Sequence, residues 1–268
     1  MSTDGYLIKG VQKMVFKIDE TKKVESLFNS WQDTLIWSCL QNIMGNIYVD
    51  SLEKPLSAMA ILADFCFLTG KPNEELVLYK PEGHDSDFII MVPQNARWEE
   101  LIVKAYGSKA KKITRYAIKK EPNVFDRKKL EEVVSSLSPE YSLKMIDEDI
   151  FNLCKENDWS RDFVSQYKDY EMYNKLGLGV VVLKDGEPIS GASSYTSYKD
   201  GIEIEIDTEE GYRRRGLASV CGAKLILECL DRGLYPSWDA ANKWSVALAE
   251  KLGYHFDHEY TAYEIWDY

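Results

Sequence analysis

The sequence predicts an α/β fold, in which helices alternate with the strands of a mixed α+β sheet. Apolar residues recur at helical spacing along the chain, most clearly from 218 to 232. β-Branched runs lie between these segments, and Asp185 with Gly186 closes the run Gly179–Leu183 into a hairpin. The 268 residues are 45% hydrophobic and 29% charged, which is a globular composition with enough length for two small domains.

The first half of the chain predicts a smaller mixed α/β domain. Apolar spacing predicts a helix over about 22–44, and later segments predict three strands and a further helix, over Asn46–Asp50, Ala58–Leu68, Phe88–Val92 and Ala96–Tyr106. The stretch Lys109–Lys120 is basic and leaves two interpretations open, a nucleic-acid patch or a solvated strand face. The acidic chain around it favours the solvated strand.

Two proline-containing breaks, Glu121 to Asn123 and Ser138 with Pro139, flank a short helix that Asp126 is expected to cap. We place the domain boundary between them, with an N-terminal domain over 1–135 and a C-terminal domain over 136–268. Gly45–Gly70 and Gly177–Gly191 both show a strand, an acidic turn with proline and a strand. The first domain is therefore either unrelated to the second or a degenerate copy of it.

The second half gives a clearer order of elements. Strands are predicted over 141–146, 179–183, 189–198, 202–206, 234–238 and 260–266, and helices over 149–156, 161–167 and 218–232. Asn242 is expected to cap a last helix with an inward face formed by Trp244, Leu248, Ala249 and Leu252. Gly233 and Gly253 are expected to end the two long helices.

Charge and cysteine content exclude several classes of function. Lys and Arg number 33 and Asp and Glu 44, which gives a net charge of −11 with His neutral. Such a chain is a poor nucleic-acid binder, and its field favours a cationic small molecule. No apolar stretch is long enough to span a membrane, and the first twenty residues lack the pattern of a secretion signal. Five cysteines without a CxxC pair predict reduced thiols, a cytoplasmic protein and no metal site.

The segment Glu203–Ala218, EIEIDTEEGYRRRGLA, carries the pattern with most chemical content. A strand ends in a loop that holds Arg213-x-x-Gly216-x-Ala218 at the start of a helix. The free amides and positive dipole end of a helix start bind anions, and residues without bulk allow close approach. The segment predicts a phosphate or pyrophosphate cradle, or else a simple helix-starting loop with solvated arginines. The patterns GxxxxGK[ST] and GxGxxG are absent, which excludes the phosphate loops that they define.

This segment resembles the acetyl-coenzyme A site of the GNAT N-acetyltransferase superfamily, in which (Arg/Gln)-x-x-Gly-x-(Gly/Ala) follows the fourth strand. A second family feature is an Asn-capped helix that ends in Leu-Gly-Tyr, here Asn242 to Tyr254. The run from Gly216 to Tyr254 is similar to a bacterial subfamily that includes the zwittermicin A resistance acetyltransferase. The resemblance covers about 140–268 and implies a GNAT acyltransferase fold there.

The resemblance implies transfer of acetyl from acetyl-coenzyme A to an amine of a small cationic molecule, a metabolite or an amino-bearing antibiotic, by direct attack in a ternary complex. A coenzyme A-binding sensor without catalysis is the alternative. The cradle residues would hold the pyrophosphate through their backbone amides: Arg213, Arg214, Arg215, Gly216, Leu217, Ala218 and Ser219. Ile206 and Thr208 would pair with the pantetheine arm. Asn242 and Ser245 would face it, with a plain helix cap as the equal alternative for Asn242.

The acid–base groups implied by the resemblance are less complete. Glu205 or Glu203 would take the proton of the amine, with Glu205 favoured because it lies nearer the cradle; a solvent-facing strand is the alternative for both. Many family members place a tyrosine where this chain has Ala249. Tyr254, Tyr263 or water would then protonate the leaving thiolate, although packed aromatics are the simpler interpretation. Two further side chains have an expected role: Asp239 caps a helix or binds the amine, and Cys221 is a buried thiol rather than a nucleophile. Whether the chain forms a homodimer stays open.

Overall fold

The computed structural model describes residues 14–268, which divide into two compact units. The first unit contains the chain up to Thr114 together with Thr261–Tyr268, and the second contains Arg115–Tyr260. The predicted boundary at 135/136 differs from this division, because Leu130 is buried in the core of the second unit. The start of the predicted N-terminal domain and the first thirteen positions tested for a secretion signal lie outside the described residues.

The first unit is built from short strands and three helices. Its strands are β1 (Phe16–Lys17), β2 (Asn46–Val49), β3 (Ser57–Leu62), β4 (Phe65–Gly70), β5 (Phe88–Pro93) and the start of β6 (Ala110–Ile118). Its helices are α1 (Thr34–Leu40), α2 (Glu74–Leu78) and α3 (Ala96–Tyr106). Single 3₁₀ turns occupy Thr21–Lys23, Glu25–Phe28 and Gly107–Lys109.

The second unit contains the longer elements. Its helices are α4 (Arg127–Ser135), α5 (Glu148–Glu156), α6 (Tyr170–Leu176), α7 (Leu217–Asp231) and α8 (Lys243–Lys251). Its strands are β7 (Ser142–Met145), β8 (Gly179–Lys184), β9 (Glu187–Tyr198), β10 (Gly201–Thr208), β11 (Tyr235–Ser237), β12 (Asp239–Ala240) and the first part of β13 (Phe256–Trp266), whose remainder belongs to the first unit. Two 3₁₀ turns lie at Arg161–Phe163 and Glu210–Tyr212.

Two of the expectations for the first unit are wrong. The predicted helix over 22–44 is broken, and only α1 is an α-helix, because Asp33 caps it by accepting the amides of Leu35 and Ile36. The predicted strand Ala58–Leu68 is a hairpin, since Ala63 adopts a left-handed φ of 54° and turns the chain. The other predicted elements of this half are confirmed, and α3 has the predicted bounds.

In the second half the predicted order holds with smaller differences. The segment predicted as a helix over 161–167 forms only the 3₁₀ turn Arg161–Phe163, and α6 was not predicted. Asp185 and Gly186 both have positive φ, 53° and 92°, as a two-residue hairpin turn requires. The mixed α/β fold class is confirmed.

The five strands of the second unit's sheet are ordered β11-β10-β9-β8-β7. β7 to β10 are antiparallel neighbours, and β11 is parallel to β10. Along β10 the side chains alternate, so that Ile204 and Ile206 enter the core packed around α7. Glu203, Glu205 and Asp207 therefore point to the opposite face of the sheet.

The 3₁₀ turn Arg161–Phe163 covers that opposite face. Ser193 lies opposite Glu205 in the register, and its hydroxyl donates to the carbonyl of Phe163 at 2.7 Å. Gly191 lies opposite Asp207, and a Cβ atom there would be 2.5 Å from the Phe163 ring. This turn therefore covers the acidic face of β10 near Glu205 and Asp207.

The two units repeat one plan. In each, four antiparallel strands are followed by a helix, a fifth strand parallel to the fourth, and an Asn-capped helix: β1 to β5 and α3 with Asn95, and β7 to β11 and α8 with Asn242. The connecting helix differs, since α2 has 5 residues and α7 has 15. The topology supports the degenerate copy, and the long helix with its cradle is present only in the second plan.

We expect Gly191→Ala to destabilise the second unit. The added methyl must displace the Phe163 ring, which costs about 1–3 kcal/mol as for other overpacked sites. Gly211→Ala is the matched control, because a Cβ there meets nothing within 4 Å and its φ is not positive. Equilibrium urea unfolding of both variants measures the difference; equal stabilities would show that the turn yields freely.

Candidate active site

A gap between two strands is the first feature of the candidate site. β10 pairs with β11 only over Gly201–Glu203, and the chain then leaves to form β12, which pairs with β6. Within residues 14–268, the edge of β10 from 204 to 208 has no strand partner on that side. Two amides at this end donate to carboxylates: Thr208 to Asp207 at 2.7 Å, and Ile206 to Glu205.

The start of α7 lies directly after this strand. Gly216 has φ +82°, a left-handed conformation that favours glycine, and a Cβ there would meet nothing within 4 Å. The first helical bond runs from the amide of Val220 to the carbonyl of Gly216 at 3.2 Å. The amides of Leu217, Ala218 and Ser219 therefore have no acceptor within the helix. Open space above free amides is what an anion cradle requires.

The three predicted arginines divide into two roles. Arg213 donates to the carbonyl of Thr208 at 3.0 Å and lies 3.5 Å from Asp207. Arg215 donates to the Tyr141 hydroxyl and the Gly211 carbonyl. Both side chains therefore fix the loop. Arg214 is exposed, and among the described residues no acid is paired with it. It is the arginine free to meet an anion.

Lys251 adds a cation that the sequence did not reveal. It closes α8, and its Nζ donates to the Ser219 hydroxyl in the first turn of α7 at 3.2 Å. An ammonium beside the positive end of a helix is unfavourable unless an anion lies there too. With Arg214, it gives the cradle two cations that suit a diphosphate.

Glu205 lies on the acidic face of β10, half-buried. Burial and the nearby charges of Asp162 and Asp207 raise its pKa to about 8, while the Ile206 amide and Arg115 offset part of this rise. A carboxyl with this pKa ionises close to neutral pH and can accept a proton there. Glu203 lies two residues earlier on the same face of β10 and is only 5% exposed.

Asp239 does not have the capping role considered for it. Its carboxylate pairs with Arg115 at 2.6 Å and accepts the Tyr260 hydroxyl at 2.8 Å. Arg115 is 11% exposed in its side chain, so this pair is largely withdrawn from water. The helix start that Asp239 was expected to cap is capped by Asn242, which accepts the amide of Ser245 at 3.0 Å.

The tyrosines considered as acids are engaged in packing. Tyr254 is 1% exposed, its hydroxyl donates to the Pro236 carbonyl at 2.6 Å, and burial raises its pKa well above 10. Tyr263 belongs to the first unit and donates to Glu99. Ala249 is fully buried. The geometry gives no support to Tyr254 as a proton donor.

The first turn of α8 differs from its prediction in one residue. Trp244 is 87% exposed, although it was expected to face inward. The core that α8 reaches includes Val246, Leu248 and Ala249, and Trp244 lies one turn before it. Ser245 accepts the indole N–H of Trp238 at 3.1 Å, so its hydroxyl is tied to the end of β11.

The five cysteines are free and buried. Cys221 lies 3.8 Å from the Ser190 hydroxyl, and burial raises its pKa to about 12. A thiol with this pKa is a poor nucleophile at neutral pH, which disfavours a covalent acetyl-cysteine route.

The basic stretch Lys109–Lys120 contains strand β6, and two of its lysines form ion pairs with acidic side chains. Lys111 pairs with Glu264 at 2.7 Å and Lys112 with Glu99 at 2.9 Å. This supports the solvated strand over the nucleic-acid patch. Across residues 14–268, no helix combines the length and apolar character that crossing a membrane requires. The same residues contain no group of three or more His, Cys, Asp or Glu side chains placed to hold a metal ion.

The free amides and two cations at the start of α7 suit a phosphate-bearing ligand, and the pKa of Glu205 suits proton transfer near neutral pH. Together they fit an enzyme that uses a phosphate-bearing donor. Comparison with known proteins narrows this class. Residues 25–263 match the model of the GNAT acetyltransferase family, so the chain belongs to that family.

Individual relatives of the chain are also N-acetyltransferases or N-acetyltransferase-like proteins by their names. A GCN5-related N-acetyltransferase-like protein of Streptococcus suis 89/1591 is 48% identical, with a TM-score of 0.87 over 92% of this chain and 98% of its own. An uncharacterized N-acetyltransferase of Bacillus subtilis (strain 168) is 28% identical over 262 residues, 90% of this chain and 95% of its own. A GNAT acetyltransferase structure from Novosphingobium aromaticivorans shares the fold, at 16% identity and a TM-score of 0.51 over 80% of this chain and 89% of its own. The protein is thus a GNAT acetyltransferase.

Proposed function

We propose that the protein transfers acetyl from acetyl-coenzyme A to an amine of a small cationic molecule. The candidates are a metabolite or an amino-bearing antibiotic, as for the subfamily of the zwittermicin A resistance acetyltransferase. Glu205 carries the proposal: a half-buried carboxyl with a pKa of about 8 lies beside the gap between β10 and β11.

The donor would lie across the end of β10 and the start of α7. The amides from Arg214 to Ser219, aided by the side chains of Arg214 and Lys251, would hold the diphosphate. The amide of Arg213, which the sequence also suggested, donates instead to the Glu210 carbonyl at 3.3 Å. The amides of Ile206 and Thr208 would then turn from carboxylates to the pantetheine arm and the thioester carbonyl. Asn242 and Ser245 would border the arm from the first turn of α8.

Glu205 makes the acceptor reactive. A free amine has a pKa near that of lysine, about 10, so most of it is protonated at neutral pH. The carboxylate of Glu205 takes this proton, directly or through water, and the amine nitrogen attacks the thioester carbonyl carbon. The C–N bond forms, the nitrogen gives its second surplus proton to water, the C–S bond breaks, and the electron pair leaves on the thiolate of coenzyme A. With Ala249 in place of the usual tyrosine, water protonates that thiolate.

The test is turnover across an amine panel. Purified protein is mixed with acetyl-coenzyme A and single amines, while thiol release and N-acetylated product are followed by absorbance and mass spectrometry. Product on at least one cationic amine, with intersecting steady-state lines, supports direct transfer. Tight donor binding without thiol release on any amine would favour the sensor, and ping-pong kinetics with an acetylated cysteine would rule out direct attack.

We expect Lys251→Ala to weaken acetyl-coenzyme A binding. Loss of one charged hydrogen bond to phosphate costs about 1.5 kcal/mol, roughly tenfold in Kd, and should also reduce the salt dependence of binding. Lys243→Ala is the control on the same helix, since its side chain is 79% exposed and its Nζ lies 4.0 Å from Glu259. Isothermal titration at two salt concentrations measures both; an unchanged Kd would remove Lys251 from the cradle.

Two further parts of the proposal concern the cellular compartment and the oligomeric state. Five free, buried cysteines support a reducing compartment, and we propose a cytoplasmic protein on that basis. Whether the chain forms a homodimer stays open. The first unit has the same strand plan without a long cradle helix, so the proposal places one donor site in each chain.

A further inference from the structure

One carboxylate beside the proposed base has no cation to balance it. Asp162 directly precedes Phe163, whose carbonyl is held at 2.7 Å by Ser193, and Ser193 lies opposite Glu205 across the sheet. Asp162 is therefore fixed next to Glu205 on the acceptor side of β10, and it is exposed at the surface of the 3₁₀ turn.

The neighbouring acids differ from Asp162 in being engaged. Asp207 lies 3.5 Å from Arg213 and accepts the Thr208 amide. Asp239 pairs with Arg115. Asp162 accepts only a 3.4 Å hydrogen bond from Ser165, and no Lys or Arg of the described chain forms an ion pair with it. Two carboxylates held close together repel each other, and a cation bound by Asp162 would relieve this repulsion.

A second observation on the same face points to a ligand. The Thr196 hydroxyl is buried, with the residue 1% exposed, and has no hydrogen-bond partner among residues 14–268. Thr196 lies opposite Glu203, directly beside a register shift between Glu203 and Ile204, so its side chain shares the face of Glu203. A buried hydroxyl without a partner is costly, and a polar group of a bound molecule would satisfy it.

We propose that the acceptor is a diamine or polyamine: one nitrogen is deprotonated by Glu205 and acetylated, while a second nitrogen stays protonated and is bound as an ammonium by the carboxylate of Asp162. Asp162 is thus a specificity-determining residue. This inference rests on the proposed function. Glu205 cannot serve as the permanent counter-ion, because it must give up its negative charge when it accepts the proton of the reacting nitrogen.

The probes are 1,4-diaminobutane and n-butylamine, which share a four-carbon chain and differ in the second amine. Wild-type protein is expected to have a kcat/KM roughly tenfold higher for the diamine, the value of one charged hydrogen bond. Above the acid limb of the pH profile, Asp162→Asn should bring the ratio close to one through KM of the diamine, with kcat little changed. Asp162→Glu should retain most of the preference. Asp149→Asn, which removes an exposed charge from α5, should leave the ratio intact.

A pH profile separates recognition from a structural effect. Glu205 is faced by Asp162 from the 3₁₀ turn, Asp207 from its own strand and Arg115 from β6. Removing the like charge of Asp162 should move the acid limb of kcat/KM for n-butylamine to lower pH, which loss of folding would not do. Equal kcat/KM for the two amines in wild type, or an equal loss for both in Asp162→Asn, would overturn the proposal.

Failure of the proposed function gives a different result. If no amine is acetylated, equilibrium binding of the two probes to the whole protein, followed by ligand-observed NMR, still compares wild type with Asp162→Asn. Preferential binding of the diamine that is lost in the variant keeps the recognition role while the catalytic proposal falls. No preference in binding overturns the recognition role independently of catalysis.

Discussion

Gly216→Asp is expected to abolish binding of acetyl-coenzyme A. The substitution places a carboxylate in the open space above the free amides of α7, where the diphosphate is proposed to lie. Two unit charges about 4 Å apart repel by about 4 kcal/mol near a protein surface, which corresponds to roughly a thousandfold in Kd. At one hundred times its Kd, the donor should stabilise the wild type by about 2.7 kcal/mol, and a thermal-shift assay should show no such gain for the variant.

The matched control is Gly216→Asn. Asparagine has nearly the shape of aspartate and, like it, tolerates the left-handed φ of +82° at this position, but it carries no charge. We expect it to retain part of the thermal shift. Loss of binding to the same extent in both variants would mean that bulk or backbone strain acts there rather than charge. Full binding by Gly216→Asp would place the phosphates elsewhere and remove the support for an acyl-donor site.

The backbone geometry of the proposed cradle could be predicted from the sequence because it is local. Its amides, its glycine and its arginines lie within a few residues, and the positions of helix-start amides follow from backbone geometry alone. The alternation of Ile and Glu along β10 also fixes which side chains enter the core, so Glu205 could be assigned to the outer face before the structure was known.

The remaining parts of the site lie far apart in sequence. Asp162, Arg115 and Lys251 reach the site from a 3₁₀ turn, a strand and a helix end, and no periodicity links such positions. Asp239 was assigned to a helix cap because a local role is all that spacing suggests, whereas its partner Arg115 lies 124 residues away. Helical periodicity predicted that Trp244 faces inward, but its side chain is 87% exposed, because periodicity does not show where the core ends.

Glu205→Gln is expected to lower kcat by about 10²- to 10⁴-fold, the usual contribution of a general base. The carboxamide cannot take the proton of the amine, while the cradle for the donor is untouched, so Kd for acetyl-coenzyme A should stay the same. In wild type the rate should rise with pH and level off above about 8, because the base acts only when ionised. Steady-state kinetics from pH 6 to 9.5, with titration of the donor, measure both effects.

Glu203→Gln separates the two candidate acids. It makes the same change two residues earlier on the same face, and we expect a smaller loss with the pH dependence of wild type. A loss in Glu203→Gln that matches or exceeds that of Glu205→Gln would transfer the base to Glu203. If Glu205→Gln kept the full rate, the amine would lose its proton to solvent and Glu205 would not be the base.

Stability against pH provides an independent check on Glu205. Its folded pKa of about 8 lies above the unfolded value of about 4.3, so the folded state holds the proton more tightly. The stability that this contributes is complete below the unfolded pKa and is lost as pH rises through 8. Urea unfolding of wild type should therefore weaken over this window relative to Glu205→Gln, which has no such group. Parallel curves would show that the carboxyl titrates normally, and the catalytic assignment would then lose its physical basis.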